Sequence, residues 1–202
     1  DRCQEDDGQE DRREAGAGQE DGGEEDLVNP LVIAATMARR GMLAPNLPHR
    51  LVGQLTSLAT WGMSLVGEVR QAALGAPQRI AVIDQARGAT TYAELFDRGM
   101  RAAVALRSQG VEPGHRIGLM ARNHVGAVEV MVGASALGVD LVLVNTGLAG
   151  EQLGLVLAQQ EIDLLVHDEE FAAIVDVLVD GPKTLSESAF AAAVDALPVG
   201  TS

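Results

Sequence analysis

TTYAEL, Thr90 to Leu95, contains Tyr92, the only tyrosine among 202 residues, and it marks a change of pattern in the chain. Just before it, IAVID (Ile80 to Asp84) is short, apolar and β-branched, which reads as a strand, and QARG (Gln85 to Gly88) reads as a turn. Within it, the Thr91 hydroxyl is placed to accept a free N–H of a helix's first turn. Glu94, three residues on, is placed to reach back to the Thr91 N–H, which completes a capping box. Leu95, Met100, Ala103 and Leu106 then recur at roughly helical spacing until Gly110. The stretch therefore predicts a β-hairpin feeding a long helix. A Thr-x-x-Glu step before an apolar run is common in soluble proteins, so its meaning depends on the residues downstream of Gly110.

Downstream the pattern is regular. VEPGHR (Val111 to Arg116) is a Pro-Gly turn, and Ile117–Met120 reads as a strand. Asn123–Leu137 reads as a helix, Val139–Val144 as a strand and Leu148–Gln160 as a helix. Ile162–Val166 and Glu169–Val179 repeat the strand and helix pattern, and Ser186 is a candidate cap for a last helix. Alternation with short connections and strands too apolar for one-sided burial predicts an α/β fold. Its mostly parallel sheet is covered by helices, buried on both faces and joined by right-handed crossovers.

Upstream the character differs. Residues 1–26 carry twelve acidic and three basic side chains, a net −9, without a Leu, Ile, Val or aromatic residue. Such a segment cannot bury enough apolar surface to offset its ordering entropy, so a disordered acidic tail is expected. Residues 27–50 read as a short helix (Leu31 to Arg40) followed by a Pro-rich connector (Gly41 to Arg50). Leu51 to Leu74 reads as one long amphipathic helix holding Trp61, the only tryptophan. Docking against the protein is the default for that helix. Peripheral membrane contact is the sharper alternative, though Arg50 and Arg70 are its only nearby cations.

Composition excludes several classes. Outside the tail the charge is −5, from 17 acidic and 12 basic side chains, which leaves no basic face for nucleic acid. Cys3 is the sole cysteine, so there is no disulfide framework and no cysteine metal site. No run of about 18 uncharged apolar residues predicts a membrane span, and the first residues do not resemble a secretory signal. The chain starts at Asp1, with Met37 or Met42 as plausible natural starts.

Few residues invite a chemical role. His49, His115, His124 and His167 do not pair with one another or with carboxylates at metal-ligand spacing, so no metal site is expected. His124 opens a helix after a strand, where α/β sheets bind ligands, yet capping or packing is the favoured reading. Gly147 and Gly150 have the spacing of a phosphate-binding turn but lack a third glycine, which favours a tight turn. Asp168, Glu169 and Glu170 open a helix, an arrangement the helix dipole explains. Gly181 to Thr184 (GPKT), with the only lysine, Lys183, reads as a turn.

Taken together, IAVID, TTYAEL, GVEPGHRIGLMARNHVGAVEV, ALGVDLVLVNTGLAGEQL and LLVHDEEF resemble the N-terminal part of the adenylate-forming acyl-CoA synthetase (AMP-dependent ligase) superfamily. TTYAEL looks like its first conserved box and ALGVDLVLVNT like its second. MARNH, VNTGLAGEQL and HDEEF are most similar to bacterial fatty-acyl-CoA ligases. His115 and Val139-Asp140 stand where that family often has Asp and Ala-Asp. The resemblance spans roughly Gly41 to Phe171 and makes residues 51–202 the N-terminal part of an AMP-binding domain.

The resemblance implies an enzyme that joins a fatty-acid-like carboxylate to ATP with Mg²⁺ and then transfers the acyl group to coenzyme A, in the cytoplasm or peripheral to the inner membrane. It also implies a phosphate loop ending in Pro-Lys-Gly, a Tyr-Gly-x-Thr-Glu motif, a ribose-binding Asp motif and a C-terminal catalytic lysine. None of these is found in the 202 residues. The expectation is a truncated, catalytically incomplete ligase that binds none of these cofactors. No catalytic, cofactor-binding or metal-binding residue is assigned. The competing readings are a non-catalytic α/β docking or dimerisation module and a doubly wound nucleotide-binding domain. Acyl chain length and oligomeric state are not legible.

Overall fold

The computed structural model describes residues 59–148, 150–178 and 180–201, together with Ala35, Thr36, Val52, Thr56 and Ser57. The expected acidic tail, the Pro-rich connector, Cys3, Met37, Met42, His49 and Arg50 lie outside the described residues. The helices and strands of the fold belong to one compact unit, Asn46–Ser202.

The first regular helix, α1, is Leu65–Gly75. It corrects the expectation of one helix from Leu51 to Leu74. Ala59–Trp61 are helical, but the helix breaks at residues 62–64. Gly62 takes a left-handed φ of +61, and Ser64 then caps a new helix by accepting the Gly67 N–H at 3.3 Å. Trp61 packs against the buried cluster of Val66, Val69, Leu95 and Val132.

Strands β1 (Ile80–Asp84) and β2 (Gly88–Thr91) form the predicted antiparallel hairpin, with Asp84 opposite Gly88. Helix α2 (Tyr92–Ser108) comes next, with both halves of its capping box in place. The Thr91 N–H donates to Glu94 Oε2 at 2.8 Å, and the Glu94 N–H donates to Thr91 Oγ1 at 3.3 Å.

The sheet proper contains β3 (Arg116–Met120), β4 (Asp140–Leu143), β5 (Leu164–His167) and β6 (Lys183–Ser186). Their order is β4-β3-β5-β6 and all three pairings are parallel. Helix α3 (Val125–Leu137) joins β3 to β4, and α4 (Gly150–Gln159) joins β4 to β5. A 3₁₀ turn (Glu169–Phe171) and a single helical turn, α5 (Ala172–Val175), lead to β6. Helix α6 (Glu187–Asp195) ends the unit, capped by Ser186 as expected. The predicted helix over Glu169–Val179 is thus much shorter, and the GPKT stretch contributes its last two residues to edge strand β6 rather than forming only a turn.

Two buried layers flank the sheet. On one face, Ile117, Leu119, Leu164, Val166 and Leu185 meet α3 and α6 through Val130, Phe190 and Val194. On the other, Met120 and Leu165 meet α4 and α5 through Leu153, Leu157 and Val175. Helix α2 lies over α3 at close range. A Cβ on Gly133 would sit 2.9 Å from the Ala102 Cβ, and one on Gly99 would collide with Val132. The central strand β5 is buried throughout, as predicted. Strand β4 is not: Asp140 and Leu143 are exposed, because β4 is a sheet edge.

Among the described residues two charged side chains are buried, Arg101 and Glu129. Glu129 is fully buried, and its Oε1 accepts from Arg87 Nη1 at 2.6 Å and Arg98 Nε at 2.5 Å.

Substitutions in the sheet and at the buried Glu129 should separate these roles. Leu165→Asp puts an unpaired carboxylate into a fully buried site of β5. Its cost, on the order of several kcal/mol, is comparable with a domain's whole stability, so the variant should lack a cooperative urea transition. Val142→Asp, on the half-buried edge strand, should retain the transition with a modestly lower midpoint. Glu129→Ala removes the shared partner of Arg87 and Arg98, but Arg98 is only half-buried and keeps Asp195, so the cost should be about 1–3 kcal/mol, read as a fall in the urea midpoint at unchanged slope.

Candidate functional site

The strand order reverses between β3 and β5. From β3 the chain passes through α3 to β4 on one side; from β5 it passes through α5 to β6 on the other. In open α/β sheets such a switch point, at the carboxyl ends of the strands, is where ligands bind. The residues gathered there come from loop 121–124, from Asp168–Phe171, from the end of β1 and from the start of α6. They border a cavity of about 330 Å³.

Asp84, Arg87, His124, Asp168, Glu169 and Glu170 at this crevice are each engaged. Asp168 brackets the two strand ends. Its Oδ2 accepts the Arg122 N–H at 2.7 Å, its Oδ1 lies 2.9 Å from His124 Nε2, and its own N–H donates to the Met120 carbonyl at 3.1 Å. Arg122 grips Glu170 with Nε at 2.8 Å and Nη2 at 3.1 Å, and its guanidinium stacks 5.2 Å from the Phe171 ring centre. Ser188 Oγ donates to Glu169, tying α6 to the same loop.

These bonds revise the dipole explanation for Asp168, Glu169 and Glu170. Asp168 makes no side-chain cap to the 3₁₀ turn it precedes. Instead the three acids hold loop 121–124 and the start of α6, because their partners converge from across the sheet.

His124 does cap α3: its Nδ1 accepts the Ala127 N–H at 3.3 Å. The same helix end is reached from 41 residues away by Asp84, whose Oδ2 accepts the Val125 N–H at 2.9 Å while its Oδ1 accepts the N–H groups of Ala86 and Arg87. The other described histidines are structural. His167 is buried, with Nδ1 3.0 Å from the Asp168 carbonyl, and His115 Nδ1 accepts the Glu112 N–H. Gly147 lies in a turn, its N–H donating to Asn145 Oδ1, whereas Gly150, with a left-handed φ of +54, is the first residue of α4 and not part of a turn. Lys183 Nζ donates to the Gln109 carbonyl.

Sequence reasoning missed Asp84, Arg87, Arg98, Arg122 and Glu129. Glu129 had a visible signal, since it is the only ionisable side chain in the apolar helix Val125–Leu137. Asp84 had a local one, the turn it closes by accepting the N–H groups of Ala86 and Arg87, but its reach to Val125 was hidden, as were the partners of Arg87, Arg98 and Arg122, which lie 31 to 97 residues away.

Electrostatically the crevice is acidic. Backbone N–H bonds, first from Val125 and then from Arg87, hold the Asp84 carboxyl below its ordinary value. The Ser188 hydroxyl lowers Glu169, and the Arg122 guanidinium lowers Glu170. Two first-turn N–H groups of α3, the donors a phosphate would use, are taken by Asp84 and His124. A nucleotide phosphate therefore does not fit here. Among the described residues no three His, Cys, Asp or Glu side chains are placed to hold a metal ion, and no helix is long and apolar enough to cross a membrane.

A larger cavity of about 620 Å³ lies between β2, α2 and Val199, lined by Arg87, Glu94, Asp97, Arg98 and Arg101. Its charges are likewise paired internally: Arg101 with Asp97 at 2.6 Å, Arg87 and Arg98 with Glu129, Glu94 with Thr91.

The family model described as AMP-binding enzyme matches residues 69–199, from within α1 to just past α6. The chain belongs to the AMP-binding enzyme family. The match starts well after Gly41 and extends past Phe171 to take in β6 and α6. Among curated relatives, a 3-oxocholest-4-en-26-oate–CoA ligase of Rhodococcus rhodochrous is 32% identical over 107 residues, 52% of this chain and 19% of the relative. A 2-succinylbenzoate–CoA ligase of Geobacillus kaustophilus is 30% identical over 122 residues, 60% of this chain and 23% of the relative. The chain thus spans about a fifth of the length of these AMP-binding relatives. The crystal structure of the N-terminal domain of FACL13 from Mycobacterium tuberculosis superposes with a TM-score of 0.64 at 22% identity, over 69% of this chain and 38% of that domain. The α/β fold is therefore that of the N-terminal part of adenylate-forming enzymes.

The lowered carboxyls make stability depend on pH. A carboxylate whose folded pKa lies below its unfolded value stabilises the fold fully above about pH 5 and loses that contribution as pH falls through the ordinary carboxylate range near 4 and below. Stability should therefore fall as pH drops from about 5 to 3. In Asp84→Asn, which keeps an acceptor but cannot titrate, the urea midpoint should fall less steeply with acid. An acid slope equal to the parent's would count against the assigned role of Asp84.

Proposed function

We propose that these residues form the first α/β unit of an ATP-dependent acid–CoA ligase that activates a fatty-acid-like carboxylate as its acyl-adenylate and passes the acyl group to coenzyme A. The observation that carries this reading is the family match over residues 69–199, joined to acid–CoA ligases among the relatives. A medium/long-chain-fatty-acid–CoA and 3-oxocholest-4-en-26-oate–CoA ligase of Mycobacterium tuberculosis, 35% identical over 109 residues, supports the fatty-acid assignment. Residues 51–202 are assigned to the AMP-binding domain, with residues 1–26 an acidic tail and residues 27–50 a connector. The location proposed is the cytoplasm, with peripheral contact to the inner membrane.

ATP, Mg²⁺ and coenzyme A are assigned to the whole ligase and not to the crevice between β3 and β5. Adenylation develops negative charge on the transferring phosphate and needs preorganised donors and cations around it. The crevice offers carboxylates and N–H groups already in use. Nor do the 202 residues contain a Ser/Thr/Gly-rich run ending in Pro-Lys-Gly. The polypeptide alone is therefore assigned no adenylating activity.

The test is acid-dependent ATP–pyrophosphate exchange with a panel of fatty acids. The 202-residue polypeptide should give none. The Rhodococcus ligase with its matching segment replaced by residues 69–199 of this chain should retain exchange. Exchange by the polypeptide alone would overturn the assignment of the chemistry to other residues, and a folded but inactive chimera would overturn the family role.

A further inference from the structure

His124 makes two hydrogen bonds that together demand one protonation state. Its Nδ1 accepts the Ala127 N–H at 3.3 Å, so Nδ1 carries no proton. Its Nε2, 2.9 Å from Asp168 Oδ1, then carries the proton and donates it. The neutral ring satisfies both partners. An imidazolium does not, because its Nδ1–H would point at the Ala127 N–H and the cap would be lost. A cation at that helix end also opposes the α3 dipole.

The surroundings pull the other way. Carboxylates from three neighbouring segments line the cavity on one side of the ring: Asp84 at the end of β1, Asp168, Glu169 and Glu170 after β5, and Glu187 at the start of α6; on its other side β4 and the body of α3 present apolar side chains such as Leu143, Val128 and Met131. The cations present, Arg87 and Arg122, are bound to Glu129 and Glu170. Gly126 opens a path between the ring and Glu187. A Cβ at Gly126 would lie 3.0 Å from His124 Nδ1 and 3.2 Å from Glu187 Oε1, so the two groups face each other across the space a side chain would fill.

We propose that His124 is a proton-operated switch in the crevice between β3 and β5. Neutral, it caps α3. Protonated, its Nδ1–H turns from Ala127 to the Glu187 carboxylate, which frees the Ala127 N–H while Asp84 still holds Val125 and Asp168 still holds Arg122.

The experiment is ¹H–¹⁵N NMR of the 202-residue polypeptide from about pH 8 to about pH 5, the range in which imidazole charge changes. The Ala127 amide should shift with the midpoint of the His124 ring protons, and its protection from exchange should fall with that midpoint. In His124→Asn, which caps through its carboxamide oxygen and cannot titrate, the Ala127 amide should stay fixed. In Glu187→Gln the Ala127 transition should move to lower pH. An Ala127 amide that stays still across the range, or one that titrates equally in His124→Asn, overturns the switch. An unchanged midpoint in Glu187→Gln overturns Glu187 as the receiving group.

Discussion

The buried carboxylate of Glu129 is the constraint around which the unit is arranged. Its Oε1 takes Arg87 from the hairpin and Arg98 from α2, and Arg98 continues to Asp195 on α6 at 2.7 Å. One ion on α3 therefore fixes the hairpin, α2 and α6. Such a cluster gives little net stability, because desolvating the charges costs about as much as their attraction returns. Here the balance is less favourable still: Glu129 Oε2 and Arg98 Nη2 are buried without a protein partner. The cluster instead makes wrong arrangements costly. Sliding α2 along α3 by one turn would take Arg98 from the buried Glu129 and leave it with Arg87 alone, a cost that an all-apolar contact would not carry.

The glycines of the α2–α3 contact act with that charge. Gly99 and Gly133 let the helices approach until Val132 and Ala102 meet backbone. Such close packing is what allows the short reach from Arg98 to Glu129. The C-terminal strap adds to the same side of α2, where Arg101 Nη1 donates to the Val194 carbonyl at 3.3 Å and Asp97 Oδ1 accepts the Gly200 N–H at 2.6 Å. Packing and charge thus specify one geometry together, with α2 held along its length by different partners.

What the sequence disclosed was local. The Thr91–Glu94 capping box, the Ser186 cap and the alternation of strands and helices depend on residues a few positions apart, and the structure contains them. The amphipathic run from Leu51 misled because its periodicity does not register Gly62, whose left-handed backbone ends one helix before Ser64 starts another. Edge strand β6 was hidden because KTLS is short and half polar. Burial of β4 was overestimated, since apolarity does not reveal which strand lies at an edge. The candidate site was the least legible part. His124 was visible as a cap, but its partner Asp168 and the second cap, Asp84, are 44 and 41 residues away.

That non-local wiring bears on how the unit can serve a ligase. A parallel α/β sheet ordinarily offers a phosphate the free N–H groups of a helix that begins at the switch point. Here two of those groups on α3 are spent on Asp84 and His124, and the surrounding charge is negative. A triphosphate entering would displace two caps and meet carboxylates that cannot move away without releasing Arg122 or Ser188. The fold's customary ligand site has become its internal clasp. In the proposed ligase, the crevice joins β1, β3, β5 and α6, and the nucleotide's cations and donors belong to other residues.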